Sequence, residues 1–337
     1  MVPSGVWKTK IIIVFCGLLL ASCAGEEKKK APIKKVAKAK KVHITRPTFS
    51  ADTAYAIIQK QIDFGPRVPN TPEHKATGNY LTAKLRSYNF EVIEQEAKVT
   101  AYNGVQLEMK NIIGSINPEK NNRVLLMTHW DTRPIADQDD TRKNEAIDGA
   151  NDGASGVGVL LEIARQLQSH DLNIGVDIIL FDTEDYGQPS NDMRARQQKT
   201  WCLGSQYWAA NPHKADYSAN YGILLDMVGA KNAFFTKESI SMYYAPQIVE
   251  KVWGIAKALG HGNYFVWQET THVGEDDHLY VNRIAKIPSI DIIQYEPKTG
   301  AFGEHWHTHD DNIDIIDKAT LQAVGETVLS TVLQESK

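Results

Sequence analysis

The sequence predicts one α/β domain, a central twisted sheet of mixed but mostly parallel strands with helices on both faces. Three observations predict it. From residue 124 onward, apolar runs of strand length alternate with helical stretches, and such alternation implies crossover connections. The runs are nearly continuous in apolar character, as strands covered on both faces are. After residue 48 there is no internal repeat and no Pro/Gly-rich linker, so one domain is the economical reading.

The elements follow in order. Ser50 caps a helical pattern of Ala54, Ile57, Ile58 and Ile62 that stops at Gly65-Pro66. Tyr80, Leu81, Leu85 and Tyr88 recur at three-to-four spacing and predict a second helix. β-Branched alternation around 91–99 and 107–116 predicts two strands. Beyond them strands are expected at 124–128, 176–181, 221–225 and 287–293, and helices at 157–168, 203–210, 248–259 and 318–333. The segment 186–201, with Arg194, Arg196 and Lys199, reads as a loop at the rim of a pocket.

The 337 residues are 42% hydrophobic and 23% charged, a globular composition that excludes disorder, collagen and coiled coil. Formal net charge is −4, unevenly spread: residues 1–47 hold 11 of the 37 Lys and Arg but only Glu26 and Glu27 among the acids. The remainder carries 26 basic against 39 acidic residues, and an acidic body argues against nucleic acid as a partner. Lys8 and Lys10 precede an apolar run over 11–21 that ends in Leu20-Ala21-Ser22-Cys23. This resembles a bacterial lipoprotein signal peptide, the alternative being an ordinary secretory signal. The resemblance implies a signal over 1–22 and a lipidated Cys23; this opens a stretch over 23–47 that its Lys clusters mark as a flexible tether, and the folded α/β domain is expected over 48–337. The protein is then expected to be exported and anchored to a membrane, facing the periplasm, and monomeric. Cys16 leaves with the signal and Cys23 takes lipid, which leaves Cys202 without a disulfide partner.

Ligands of such sheets bind beyond the carboxyl ends of the strands. After 124–128 come His129 and Asp131; after 176–181 come Asp182, Glu184 and Asp185; Asp226 follows Leu225, and Asp291 follows Ile290. Between them a small-residue turn, Gly149-Ala150-Asn151-Asp152-Gly153-Ala154-Ser155-Gly156, opens a helix, and His305-Trp306-His307-Thr308-His309 lies near the C-terminus. Singly, Asp152 reads as a helix cap, Glu184 and Asp185 as a solvated loop, and His307 as part of a surface cluster. Together they are harder to dismiss. Carboxylates gathered at one sheet edge repel, and a divalent cation is the usual counterweight. Zinc takes mixed oxygen and nitrogen ligands, and a catalytic site keeps three protein ligands and one open position. Asp152, Asp185 and His307 would supply such a set, with the neighbouring Glu184 as a general acid/base.

His129-Trp130-Asp131, Asn151-Asp152-Gly153-Ala154-Ser155-Gly156, Phe181-Asp182-Thr183-Glu184-Asp185, Leu225-Asp226-Met227-Val228-Gly229 and Trp306-His307-Thr308 resemble, in order, the motifs of the zinc-dependent aminopeptidase superfamily. Phe64-Gly65-Pro66-Arg67-Val68-Pro69 is similar to that group's opening segment. Within the superfamily the sequence is more similar to the animal-type glutaminyl-peptide cyclotransferases. Glu275-Asp276-Asp277-His278, Trp306 before the histidine, Phe302 four residues upstream, and Asp310-Asp311-Asn312 carry that preference.

The resemblance implies one zinc on Asp152, Asp185 and His307, Glu184 as proton shuttle, and Asp226 and Asp276 in an acid network beside it. It further implies substrate contacts from Trp306, Phe302 and Glu275, and peptides beginning in glutamine as substrates, cyclised with loss of ammonia; Trp201, in a segment that matches neither group, reads as a further aromatic wall or as core next to Cys202. Two positions depart from the animal pattern: Asp185 stands where those enzymes have Glu, and Asp291 where they have His. The rival expectation is a di-zinc aminopeptidase, in which His129 and Asp226 bind a second metal bridged by Asp152. A third is a catalytically dead binding lipoprotein, whose mark would be loss of Glu184 or of a ligand; all are present.

Overall fold

In the computed structural model, which describes residues 45–270 and 273–337, the first helix begins where its cap dictates. The Ser50 side chain accepts from the Thr53 amide and opens α1 (Ala51–Ile62). Thr71 likewise accepts from the His74 amide and opens α2 (Pro72–Ser87), with proline in its first turn. Two long strands, β1 (Glu91–Thr100) and β2 (Gln106–Ile116), follow as an antiparallel pair.

The rest of the chain alternates: β3 (Arg123–His129), α3 (Ala154–Leu167), β4 (Gly175–Phe181), α4 (Leu203–Ala210) and β5 (Tyr221–Asp226). Next come β6 (Phe235–Lys237), α5 (Ser239–Tyr244), α6 (Pro246–Leu259), β7 (Phe265–Glu269), α7 (Asp277–Tyr280), β8 (Ser289–Ile293) and α8 (Lys318–Glu335). The main sheet has six strands in the order β1-β2-β4-β3-β5-β8. β2 meets β4 antiparallel, whereas β4–β3, β3–β5 and β5–β8 are parallel. The expected mixed, mostly parallel sheet is therefore present.

Side-chain alternation explains the continuous apolar runs. Val124, Leu126, Ile178, Leu180, Ile223 and Leu225 pack in the larger core with α1, α3, α6 and α8. Leu125, Met127, Ile179, Phe181 and Leu224 pack on the other face against Trp208 of α4, Val281 and Ile287. Parallel register, with His129 opposite Phe181 and Asp226 opposite Ile293, brings the carboxyl ends of the central strands to one edge.

Three features differ from the sequence reading. β6 and β7 form a separate two-stranded sheet that periodicity did not reveal, because β6 has only three residues. β8 begins at Ser289 instead of 287, since Pro288 lacks the amide that the ladder needs. Asp291 consequently lies in the middle of β8, opposite Leu224, and does not end the strand. The proposed signal, Cys23 and the tether up to residue 44 lie outside the described residues. Arg46, read as tether, bonds the buried Glu326 carboxylate and the Leu259 carbonyl, so the folded domain reaches back at least that far.

Candidate metal centre and active site

Asp131, just past β3, organises the loop that follows β4. Its carboxylate oxygens accept from the amides of Glu184 at 3.0 Å and Asp185 at 3.2 Å. The turn before α3 is fixed from three sides. Asp311 accepts from the amides of Asn151 at 2.7 Å and Asp152 at 3.0 Å. The Asn151 side chain accepts from Gly229 and Ala230 at 2.8 and 3.0 Å. Buried Arg67 donates to the carbonyls of Trp130 at 3.1 Å and Gly149 at 2.8 Å. Gly149 has φ +57°, and a Cβ there would come 2.4 Å from the Asp152 carbonyl oxygen, so the turn requires glycine. Asp152 does not cap the helix: the N-cap is Gly153, with no side-chain bond.

This scaffold places Asp152, Asp185 and His307 together, with a donor atom of each within 4.8 Å of the others. His307 Nε2 lies 3.3 Å from Asp185 Oδ1 and 3.7 Å from Asp152 Oδ2. Legs of about 2.0–2.1 Å to a tetrahedral ion put neighbouring donors roughly 3.3–3.4 Å apart, so these separations suit zinc. Both Asp185 oxygens are buried without a hydrogen-bond donor among the described residues, an arrangement that a cation would satisfy. Burial, and then the Asp152 charge, push the Asp185 carboxyl up.

The imidazole is held from behind. Asp137 Oδ1 stands 3.1 Å from His307 Nδ1 and accepts from Arg133 Nε at 2.6 Å. Arg133 also donates to the Asp185 carbonyl at 2.9 Å, tying two members of the set to one guanidinium. Against the pull of burial, His307 and Arg133 hold the Asp137 carboxyl well below the usual range. Trp306 stacks on His307 with centroids 3.8 Å apart, and Trp201 lies nearly parallel to it at 5.9 Å. Arg133 covers the Trp201 ring at 4.5 Å, and a Cβ at Gly187 would fall 2.0 Å from that indole, so Gly187 leaves room for the wall.

A second cluster lies deeper. His129 Nε2 is 3.0 Å from Asp152 Oδ1 and 3.2 Å from Asp226 Oδ1, and the three residues also bring donors within 4.8 Å. Burial disfavours the imidazolium, but Asp131, Asp152 and Asp226 outweigh it and raise His129 well above its ordinary value. Asp226 is pushed up to about 7, first by burial and then by its acidic neighbours, with His129 opposing.

These residues open on a cavity of about 390 Å³. Trp201, Trp306, Phe302, Val273, Ile293 and Met227 form its walls, and Asp152, Asp185, His307, Glu184, Asp226 and Asp276 its polar side. Arg196, Gln197, Gln198 and exposed Glu275 line it as well, so the 186–201 loop does contribute to the pocket. Burial pushes the Glu184 carboxyl well above its ordinary value, with His129 opposing and Asp185, Asp277 and Asp276 adding. Backbones with positive φ surround the site at Thr183, Cys202, Met227 and His307, strain of the kind that functional sites hold.

Every catalytic, metal and substrate residue expected from the sequence thus lines one cavity. His129 stands behind Asp152, and Asp291 and His278 are grouped behind Asp276 without lining the cavity themselves. The sequence reading gave no role to Arg133, Asp137 or Cys202, and did not see that Asp131, Asp311 and Arg67 hold the loops. Asp311 and Arg67 lay inside quoted motifs, which was a usable signal; Arg133 and Asp137 lay in a stretch without periodicity.

A carboxylate–histidine cluster at the carboxyl edge of such a sheet is the arrangement of a metallohydrolase-type enzyme. Residues 111–332 match the model of peptidase family M28, and the chain belongs to that family. It is similar to the solved glutaminyl cyclase of Bacteroides thetaiotaomicron bound to N-acetylhistamine: 51% identity, TM-score 0.83, covering 86% of this chain and 99% of that one. The Porphyromonas gingivalis glutaminyl cyclase shares 53% identity at TM-score 0.81, over 86% and 99%. A leucine aminopeptidase precursor from Bacteroides thetaiotaomicron shares 49% at TM-score 0.82, over 86% and 98%. Among curated proteins, aminopeptidase YwaD of Bacillus subtilis is 25% identical over 81% of this chain, which spans only 54% of that protein's length. The family and the candidate donor groups together support zinc as the metal of this protein.

Proposed function

We propose that the chain is a glutaminyl-peptide cyclotransferase, converting the N-terminal glutamine of peptides or proteins to pyroglutamate with release of ammonia. The observation that carries this reading is one aromatic-walled cavity in which Glu184 and Asp276 stand beside the Asp152, Asp185 and His307 donors. One zinc on those donors would supply a Lewis acid for the γ-carbonyl. The glutamine methylenes lie against Trp306 and Phe302, whose rings are 4.8 Å apart, and Asp276 accepts from the side-chain amide. Glu184 takes a proton from the α-amine as its nitrogen bonds the γ-carbon, then gives it to the departing ammonia. Burial holds the Glu184 carboxyl above its ordinary value, which suits both transfers. Because nucleophile and electrophile share one residue, the cavity has mainly to hold a ring-like pose. Asp226 completes the acid network, Glu275 and Trp201 the substrate contacts.

The second reading, a di-zinc aminopeptidase, has the His129–Asp152–Asp226 cluster in its favour. Its donors stand at hydrogen-bonding distances, and the Gly153 amide donates to His129 Nε2 at 3.2 Å. The deciding experiment incubates the protein with peptides beginning in Gln and in Leu and reads products by mass spectrometry. Loss of ammonia from the first alone supports the cyclase, with one zinc per chain; release of a free amino acid overturns it.

The sequence features at the N-terminus support export, cleavage before Cys23 and a lipid anchor on the periplasmic side of a bacterial membrane. A Cys23→Ser protein recovered in the membrane fraction as fully as the natural one would argue against the anchor.

A further inference from the structure

We propose that Cys202 is a positioning residue for Glu184, an inference that rests on the cyclase reading. Cys202 Sγ donates to Glu184 Oε1 at 3.2 Å, and the thiol is fully buried. The backbone repeats the contact: the Cys202 amide donates to the Glu184 carbonyl at 2.9 Å, and the Leu203 amide to the Thr183 carbonyl at 3.1 Å. The chain therefore returns from the 186–201 loop directly onto the proton shuttle and fixes it by main chain and side chain together.

Cys202 occupies the N-cap of α4 in the left-handed region, φ +57° and ψ +38°, without a side-chain cap bond. A polar cap residue would turn to the helix amides; here the thiol turns to Glu184 instead. A second, independent feature marks the same spot. Glu184, Cys202 and Asp276 bring polar atoms within 4.8 Å of one another, and Asp276 Oδ2 is buried with no hydrogen-bond partner among the described residues. Two carboxylates at this distance tend to repel or to share a proton, and the S–H bond holds Oε1 of Glu184 in a defined place between those outcomes. Oε2 is then the oxygen left for the α-amine of the substrate. Burial and the adjoining carboxylates push the thiol well above its ordinary value, so it acts as a donor and not as a nucleophile.

A merely structural cysteine is a small buried hydrophobe, for which alanine substitutes better than serine. A donor role inverts that order. The test measures kcat and KM on a Gln-initiated peptide, together with zinc content, for the full chain carrying Cys202→Ala or Cys202→Ser. Alanine is expected to lower kcat about tenfold, the worth of one hydrogen bond to a charged group, with KM and zinc unchanged. Serine is expected to restore most of the loss. Should alanine at this left-handed position fail to fold, Cys202→Gly tolerates the backbone and carries the same comparison. Equal kcat in all proteins, serine slower than alanine, or a loss confined to KM overturns the proposal. A natural protein that does not cyclise the peptide at all sinks the cyclase reading instead, so the two failures are distinguishable.

Discussion

Asp137 Oδ1 lies 3.1 Å from Nδ1 of His307, on the side of the imidazole opposite the nitrogen that faces Asp152 and Asp185. A carboxylate behind a ligating histidine fixes the tautomer and orients the ring, and its loss typically costs 10–100-fold in metal affinity. Asp137 is itself clamped by Arg133, which also holds the Asp185 carbonyl. Asp137→Ala is therefore expected to weaken zinc by roughly that 10–100-fold factor while leaving the donor set intact. Chelator competition measures it, and unchanged affinity would show that the backing carboxylate is dispensable.

Glu184 and His307 separate chemistry from metal. Glu184→Gln removes the proton acceptor without removing a donor of the Asp152, Asp185 and His307 set. Turnover should fall by about 10²–10⁴, the usual contribution of a positioned acid/base, with zinc retained. His307→Ala should lose zinc and activity together. Metal analysis beside single-substrate kinetics tests both, and substantial activity in the glutamine variant would remove Glu184 from its role.

The way these residues became legible differs with their surroundings. The strand-end carboxylates stood out because apolar runs over 124–128, 176–181 and 221–225 frame them, and the observed β3, β4 and β5 extend each run by at most one residue at either end. Asp291 misled for the same reason: a carboxylate after Ile290 reads as a strand end, yet it is buried in mid-strand near His278, whose Nδ1 lies 3.9 Å away. Arg133 and Asp137 were invisible because their importance is tertiary. A buried guanidinium over Trp201 leaves no local pattern, and neither does a thiol whose partner is 18 residues away.

Zinc removal should carry a pH signature. Burial, chiefly, pushes Asp226 up to about 7 and Asp311 up to about 8, and Asp152 adds to both. In the unfolded chain such groups titrate near the ordinary value of about 3.9. Across the window from about 4 to 7–8, the metal-free folded protein therefore binds more protons than the unfolded chain, and stability falls as pH rises. A dication among these carboxylates opposes that loss, so the gain in Tm on adding zinc should grow from pH 5 to pH 8. Melting curves with zinc and with chelator across that range test it; a gain that shrinks with pH would contradict the assigned site.

A final prediction concerns stability far from the cavity. Asp177, in mid-β4, accepts from Ser115 at 2.6 Å and from Arg123 Nη2 at 2.7 Å, and Tyr217 also donates to it. Burial raises its pKa, but Arg123, Ser115 and Tyr217 together outweigh burial and lower it. The sign follows from the depressed value: this stabilisation is present above the unfolded pKa and is lost as pH falls through the folded one. Arg123 is nearly as buried as its partner, so Arg123→Met leaves the carboxylate desolvated and unpaired, at a cost of about 3–5 kcal/mol. Denaturant unfolding should show that loss at pH 7 and a smaller one near pH 3, where the carboxyl accepts a proton. Zinc content and kcat of the folded variant should match the natural protein, because the pair lies toward the amino end of β4, with the metal donors beyond the carboxyl end. Equal destabilisation at both pH values would mean that Arg123 stabilises the sheet by packing, without the charge.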